Sequence, residues 1–267
     1  MKICAISDLH GNLITDIPEC EVLCICGDIV PLQIQKNLED SKKWFLNDFC
    51  NWINILPCTK VIFTAGNHDF FLENLYKDTI RFINFCENIK ESTNNKAILL
   101  IDELYTYKGV KFYGFPYVRP ISPNHYWAFE DNYKNSFDVG EYNSLENLNC
   151  DVLITHDFPG KNGVLNYYIE KMQSKPICFG GHWHETSSNY RLGYYNCSIL
   201  DNGYQVKEYF NIPTVEVKTE LETIEKVFDY LNDNIFNYSS ITNDNLSLIK
   251  DYLIRSKLNL LTDYDYR

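Results

Sequence analysis

Five of the six histidines in this chain stand in short polar motifs that begin where an apolar, strand-like run ends. The motifs are Asp8-Leu9-His10, Gly66-Asn67-His68-Asp69, Thr155-His156-Asp157 and Gly180-Gly181-His182-Trp183-His184, and Gly27-Asp28 repeats the placement without a histidine. Imidazole and carboxylate together suit borderline divalent ions such as Mn²⁺, Fe²⁺ or Zn²⁺, whereas an all-oxygen site would favour Mg²⁺ or Ca²⁺. Two such ions held about 3.5–4 Å apart can activate water and stabilise attacking and leaving oxygens together. In Gly-Asn-His-Asp the glycine frees the backbone just ahead of three polar side chains. On extended chain the pair His182 and His184 points the same way, because the side-chain period is two. Taken singly, Asp-x-His or Gly-Asp at a strand end is an ordinary cap or turn, and His-x-His can be a solvent-facing pair. The five in sequence are not explained that way.

The elements that must position these groups are legible as periodicity. Short β-branched runs at 3–7, 22–26, 60–64, 97–101, 110–113, 151–155, 177–179, 195–200 and 204–209 read as strands, with Tyr107-Lys108-Gly109-Val110 as a hairpin turn. Longer patterns at 38–56, 71–90 and 163–173 read as helices, and Pro57 closes the first. Alternation of the two predicts an α/β layered domain over 1–212. Its strand ends would converge on one crevice, where ligands of such folds bind. From 213 to 267 the pattern changes. Thr219-Glu220-Leu221-Glu222 carries a capping box, and Leu221, Ile224, Phe228, Leu231 and Ile235 recur at helical spacing. This predicts a C-terminal helical extension, packed on the main domain or on a partner chain, with a homo-oligomer among the options.

A net charge of −12 argues against duplex nucleic acid or an anionic membrane as partner, since both are met by Lys/Arg patches. No apolar run reaches the roughly 18 residues needed to span a bilayer. The opening Met1–Ser7 is broken at once by Asp8 and His10, so it reads as a buried first strand and not as a signal sequence. The ten cysteines show no C-x-x-C spacing and read as reduced, core-filling thiols of a cytoplasmic protein.

The ordered motifs D-x-H, G-D, G-N-H-D, H and G-H-x-H resemble the calcineurin-like metallophosphoesterase superfamily over roughly residues 1–200. The resemblance implies a four-layer α-β-β-α sandwich of two mixed sheets, two divalent metal ions (Mn, Fe or Zn) and a phosphoester substrate. Carried over by motif, Asp8, His10 and His184 would hold one ion, and Asn67, His156 and His182 the other. Asp28 would bridge both. Two dications against two carboxylates leave such a cluster net positive, so it can attract a phosphate despite the acidic chain. His68 would stand over the scissile phosphate as hydrogen-bond donor or general acid, with Asp69 orienting it. Asp69 also sits where a helix N-cap is expected. Asn12 is a candidate phosphate contact or a plain turn residue.

Departures from the pattern narrow the substrate. Protein Ser/Thr phosphatases of the superfamily carry G-D-x-V-D-R-G, whose Arg grips phosphate; here the stretch reads Gly27-Asp28-Ile29-Val30-Pro31. Gly-Asn-His-Asp-Phe-Phe and the Gly114-Phe115-Pro116 to Trp127-Ala128-Phe129 segment look most like the small class III phosphodiesterase-like group, which includes the brain and fetal-brain metallophosphoesterases. That group has His-Gly-Pro-Pro where this chain has His156-Asp157-Phe158-Pro159. In the 116–129 segment, Arg119 could meet a phosphate, and Trp127, with Tyr117, His125 and Tyr126 nearby, could stack a base or aryl group. The expectation is therefore a phosphodiesterase acting on a small, cyclic-nucleotide-like substrate. The alternatives are a phosphomonoesterase of the same superfamily, or a silent member that binds a nucleotide or protein. Amidohydrolases place their H-x-H near the first strand, and the H-x-H-x-D-H run of metallo-β-lactamases is absent.

Overall fold

The computed structural model describes residues 1–120, 126–130, 140–184, 193–208 and 211–218. The chain divides into two compact units, Met1–Val217 and Lys218–Arg267. The helical pattern read at 221–235 lies outside the described residues.

Among the described residues, ten strands form two five-stranded mixed sheets. In the first, β1 (Lys2–Ile6), β2 (Val22–Cys26), β3 (Lys60–Thr64) and β4 (Ala97–Leu99) run parallel. In the second, β5 (Glu103–Tyr107) and β6 (Val110–Phe115) form an antiparallel hairpin. Its turn, Lys108-Gly109, has both residues at positive φ (48° and 79°), as a two-residue hairpin turn requires. The parallel strands β7 (Val152–Thr155), β8 (Ile177–Gly180) and β9 (Tyr194–Asn196) complete that sheet.

Side-chain alternation sorts each strand between two cores. Ile3, Ala5, Val22, Cys24, Cys26 and Ile62 of the first sheet meet Val110, Phe112, Val152, Ile154 and Phe179 of the second. Their neighbours Cys4, Ile6, Leu23, Ile25, Val61 and Phe63 face the other way and pack with Phe45, Phe49, Trp52, Phe85 and Ile89. On the second sheet, Leu153 and Cys178 face Leu165, Tyr168 and Ile169 in the same manner. A strand buried on both faces reads as a continuous apolar run, which is what these sequences show. The layers are helix, sheet, sheet, helix. All ten cysteines are free thiols, nine of them buried.

The sheets meet at the carboxyl end of β1. Ser7 N–H donates to Cys197 O (2.8 Å), Ile199 N–H donates to Ser7 O (3.1 Å), and Ser7 Oγ donates to Cys26 O (2.9 Å). The strand ends that carry the polar motifs are thereby drawn to one edge of the sandwich.

Several boundaries differ from the sequence reading. The pattern at 38–56 is two helices, α1 (Leu38–Trp44) and α2 (Cys50–Ile55), joined by a π-helical turn Phe45–Phe49. Phe45, Phe49 and Ile53 recur every four residues, and the wider turn keeps all of them buried against β3. The pattern at 71–90 splits into α3 (Phe70–Tyr76) and α4 (Thr79–Ser92), because the Asp78 carboxylate accepts from Arg81 N–H and starts a new helix. The third helix, α5 (Gly163–Glu170), is capped by Asn162 and is shorter than expected. The strand expected at 195–200 stops at Asn196, whose side chain accepts from Ser198 N–H (3.1 Å) and turns the chain. That expected at 204–209 is reduced to a bridge between Leu200 and Val206, with Tyr209 outside the described residues. Two strands were not anticipated. β5 is an edge strand with no buried position, and β10 (Thr214–Glu216) pairs antiparallel with β1 beyond the expected boundary at 212.

Phe179 is fully buried between the sheets, next to Gly180-Gly181. Phe179→Ala is expected to cost about 3–5 kcal/mol through loss of transfer energy and a residual cavity. A fall in the urea midpoint at unchanged m-value measures it.

Candidate metal centre

Every motif residue read as a ligand comes to the same edge, and most are buried. Asp8 and His156 are fully buried, Asp28 and Asn67 are 2% exposed, and His10 is 7% exposed. Three groups hold ligand atoms within 4.8 Å of one another: Asp8, His10 and His184; Asp28, His156 and His182; and His10, Asp28 and His68. Asp28 belongs to the second and third, and its carboxylate reaches the first through His10, whose Nε2 lies 3.5 Å from Oδ2, as it reaches His156 Nε2 at 3.3 Å. Asn67 joins the second group, its Oδ1 lying 2.9 Å from His156 Nε2.

The backbone is bent to make this possible. Asp8, His10, Asp28 and His182 all have positive φ (58°, 42°, 53° and 67°), a left-handed conformation that costs energy for any non-glycine residue. Glycines stand where chain passes chain. A Cβ on Gly66 would lie 2.4 Å from Asp28 Oδ1, and one on Gly181 would lie 1.9 Å from Ser7 Oγ. Fixed donors complete the frame: His182 N–H donates to Asp8 Oδ1 (3.0 Å) and His68 N–H to Asp28 Oδ1 (2.8 Å).

Two of the imidazoles are oriented from behind. His156 Nδ1 donates to Cys26 O (2.7 Å), which turns Nε2 toward Asn67 and Asp28 Oδ1 (3.3 Å). His184 Nδ1 donates to Asp201 O (3.1 Å), which turns Nε2 toward Asp8 Oδ1 (3.3 Å). Such outer partners fix tautomer and direction in metal-binding histidines. His10 differs. Both of its ring nitrogens are buried without a hydrogen-bond partner, and Nε2 lies 3.5 Å from Asp28 Oδ2. An orphaned buried nitrogen costs roughly 1–3 kcal/mol. A cation at this point would satisfy it, so the donor set fits a metal ion.

The electrostatics agree with a site built to receive positive charge. Burial raises Asp28, but His156, His68 and His10 outweigh it and hold the carboxyl well below its usual range. Burial would lower His156, yet the Asp28 and Asp8 carboxylates carry it up to about 10. Burial dominates at His10, pulling it down to about 4, and it also lowers His68. The cluster thus stabilises cationic charge where Asp28 and His156 meet.

Asp69 stands at the N-cap position of α3 without a side-chain capping bond: its carboxylate accepts from Gly66 N–H (2.8 Å), Ile29 N–H (3.0 Å) and Val30 N–H (3.1 Å), and none of these bonds is to His68. Burial and the Asp28 charge raise it to about 7. Its work is to tie the Gly66 turn to the chain after Asp28. The partner of the His68 ring is Gln35, whose Oε1 accepts from Nδ1 at 2.5 Å. Asn12 is likewise engaged locally, its amide donating to Leu9 O (2.8 Å), as in a turn. Asp157 also has a structural place, accepting from Phe158 N–H, Trp183 Nε1 and Asn162 Nδ2.

Of the expected substrate wall, Trp127 lies against His68 with ring centroids 4.5 Å apart, and Ala128 N–H donates to Asn67 O (3.0 Å). Lys36 Nζ stands 5.6 Å from the Trp127 ring. Arg119 is exposed just past Val118, and His125 falls outside the described residues. Gln35, Lys36 and Tyr204, whose ring packs on His10 and His184, were not found from the sequence. Gln35 and Lys36 lie in a loop without periodicity. Tyr204 follows an Asp-Asn-Gly turn that gives no chemical signal.

The family profile described as Calcineurin-like phosphoesterase matches residues 1–186, a span that contains every motif residue above. Among solved structures, TT1561 of Thermus thermophilus is similar at 11% identity over 75% of this chain and 89% of that chain, with a TM-score of 0.47. A second solved structure is similar at 9% identity over 73% of this chain and 76% of that chain, with a TM-score of 0.36. Comparison with curated proteins returns no match.

Metal loading is expected to stabilise the fold. Mn²⁺ at about 100 times its dissociation constant adds roughly 2.7 kcal/mol, or on the order of 5–10 °C in Tm. Asp28→Asn removes the shared ligand and is expected to abolish both the Tm shift and retained metal, read by calorimetry and elemental analysis. An undiminished shift in that variant would place the ion elsewhere.

Proposed function

The chain belongs to the calcineurin-like phosphoesterases, a family of metal-dependent phosphoester hydrolases, and from that premise we propose that it is a phosphodiesterase for small substrates. The observation that carries this reading is the pair of ligand groups Asp8, His10, His184 and Asp28, His156, His182, joined where His10 meets the Asp28 carboxylate, with His68 beside Asp28 and an aromatic ring against His68. Asp8, His10, His184 and Asp28 would hold one divalent ion, and Asn67, His156, His182 and Asp28 the other. The nitrogen-rich donor set favours Mn, Fe or Zn over Mg or Ca. Bound ions of this kind supply an activated water and Lewis-acid polarisation of the phosphoryl oxygens.

The chain's own residues do the rest. Because His68 Nδ1 is committed to Gln35, the ring's free position is Nε2, which faces the cluster 3.9 Å from Asp28 Oδ2. A proton carried there is in place to meet the leaving oxygen. Trp127, tilted against His68, gives the leaving group an apolar surface and limits water on that side. Two features support a diester substrate. The arginine that grips a phosphomonoester in protein phosphatases has no counterpart, Pro31 standing in that stretch. Gly-Asn-His-Asp-Phe-Phe also resembles the class III phosphodiesterase-like group. The net charge of −12 supports a small substrate over duplex nucleic acid. No described helix is long and apolar enough to cross a membrane.

A panel of phosphomonoesters, aryl diesters and cyclic nucleotides, assayed with added Mn²⁺, tests the reading. The expected result is the highest kcat/KM on a diester. His68→Ala should lower kcat by about 10²–10⁴-fold at unchanged metal content, the usual worth of a general acid. Turnover confined to monoesters would move the protein to the phosphomonoesterase branch. Absence of turnover in metal-loaded protein would make it a binding module.

A further inference from the structure

Tyr204 is 41% exposed and has a φ of 59°, a conformation that aromatic residues seldom adopt. The surrounding turn imposes it. Asp201 Oδ1 accepts from Gly203 N–H (2.8 Å) and Gln205 N–H (3.0 Å), while Tyr204 N–H donates to Asp201 O (3.0 Å). The bridge between Leu200 and Val206 and the bond from Lys207 N–H to Ile199 O (2.9 Å) hold the base of the turn. The same Asp201 carbonyl orients His184. A rigid, strained turn is therefore built onto the metal centre, and what it presents there is an aromatic ring.

That ring packs edge-on against His10 and His184, with centroids 5.2 Å and 5.1 Å away. Four rings thus form a row: Trp127 to His68 at 4.5 Å, His68 to His10 at 4.8 Å, and His10 to Tyr204 at 5.2 Å. Trp127 and Tyr204 stand at opposite ends of it. A tetrahedral phosphodiester has two ester arms that diverge. With the leaving arm at His68 and Trp127 and the attacking water in line with it, the second arm leaves phosphorus to one side of that axis, and Tyr204, which borders His10 and His184, is an aromatic surface that can meet it. A monoester has no second arm.

We propose that Tyr204 is the wall for the non-leaving arm of a phosphodiester, and so a residue that sets the preference for diester over monoester. The inference rests on the phosphodiesterase reading given above. The substrate class is a diester whose non-leaving arm is apolar or planar enough to lie on a phenol ring, such as an aryl ester or a nucleoside.

The test compares bis-p-nitrophenyl phosphate with p-nitrophenyl phosphate, which share one leaving group. Tyr204→Asn removes the ring while keeping a residue that tolerates left-handed backbone; Tyr204→Phe keeps the ring. The expected outcome for Tyr204→Asn is a rise of about 5–10-fold in KM for the diester with kcat little changed, the mark of lost binding common to ground and transition states. The monoester should change by less than about 2-fold, and Tyr204→Phe should match the wild type. In a His68→Ala background, calorimetric binding of the diester should weaken by the same factor on adding Tyr204→Asn, while binding of inorganic phosphate should not. Equal losses on both esters, no loss on either, or a Tyr204→Phe variant as poor as Tyr204→Asn would overturn the role of Tyr204 and leave the diester reading standing. A wild-type protein that hydrolyses only the monoester would remove both.

Discussion

The buried carboxylate of Asp28 is the group on which the rest of this structure depends. An ionised carboxylate taken out of water is strongly unfavourable unless charge and hydrogen bonds compensate it. Here the compensation comes from separate parts of the chain. His156 arrives from β7, His10 from the turn after β1, and His68 with its backbone N–H from the turn after β3. His156 offsets the charge of one carboxylate, but Asp8 stands nearby as a second and His10 is held in its uncharged form by burial. The unbalanced negative charge and the partnerless nitrogens of His10 express the same requirement, one that a cation meets. This is why the chain can be acidic overall and still serve an anionic substrate: attraction would come from bound ions at one edge and not from the surface.

Holding such a cluster needs backbone as well as side chains. Four of the proposed ligands sit in left-handed conformation, and the glycines beside them leave no room for a methyl group. Strain of order 1–3 kcal/mol at each such residue persists only where surrounding structure overdetermines it. Two things do so here. Ser7 joins β1 to the chain beyond β9, so the sheets cannot splay at the ligand edge. Asp69, spending its carboxylate on three backbone N–H groups, locks the Gly66 turn to Ile29 and Val30. The acidic residue of the motif thereby braces the turn that carries His68.

Most of the site was legible in the sequence because its residues occupy strand ends, and strand ends are marked by where an apolar run stops. The parallel strands of both sheets carry that mark, and so do Asp8, His10, Asp28, Asn67, His156, His182 and His184. The parts that were not legible depend on tertiary contact. A pattern of period four at Phe45, Phe49 and Ile53 cannot distinguish an α-helix from one with a π-turn. The break at Asp78 is a capping choice inside an otherwise helical pattern. β10 becomes a strand through its pairing with β1, since Thr-Val-Glu alone is too short to show a period. Gln35 and Tyr204 belong to loops, where no periodicity announces which side chain will meet a histidine.

That division has a physical basis that bears on specificity. The ligand residues are fixed by strand ends, sheet closure and strained turns, so they can vary little without losing the cluster. Trp127 and Gln35 reach His68, and Tyr204 reaches His10 and His184, from segments outside the strands, with Lys36 over the Trp127 ring. Trp127 N–H is held by Glu130, Phe129 N–H by Glu73, and the Tyr204 turn by Asp201. Chemistry resident in the frame and selectivity resident in independently anchored loops is an arrangement in which substrate preference can change while the reaction stays the same. On the phosphodiesterase reading, the rings of Trp127 and Tyr204 are where this chain would differ from one that binds a bare phosphate.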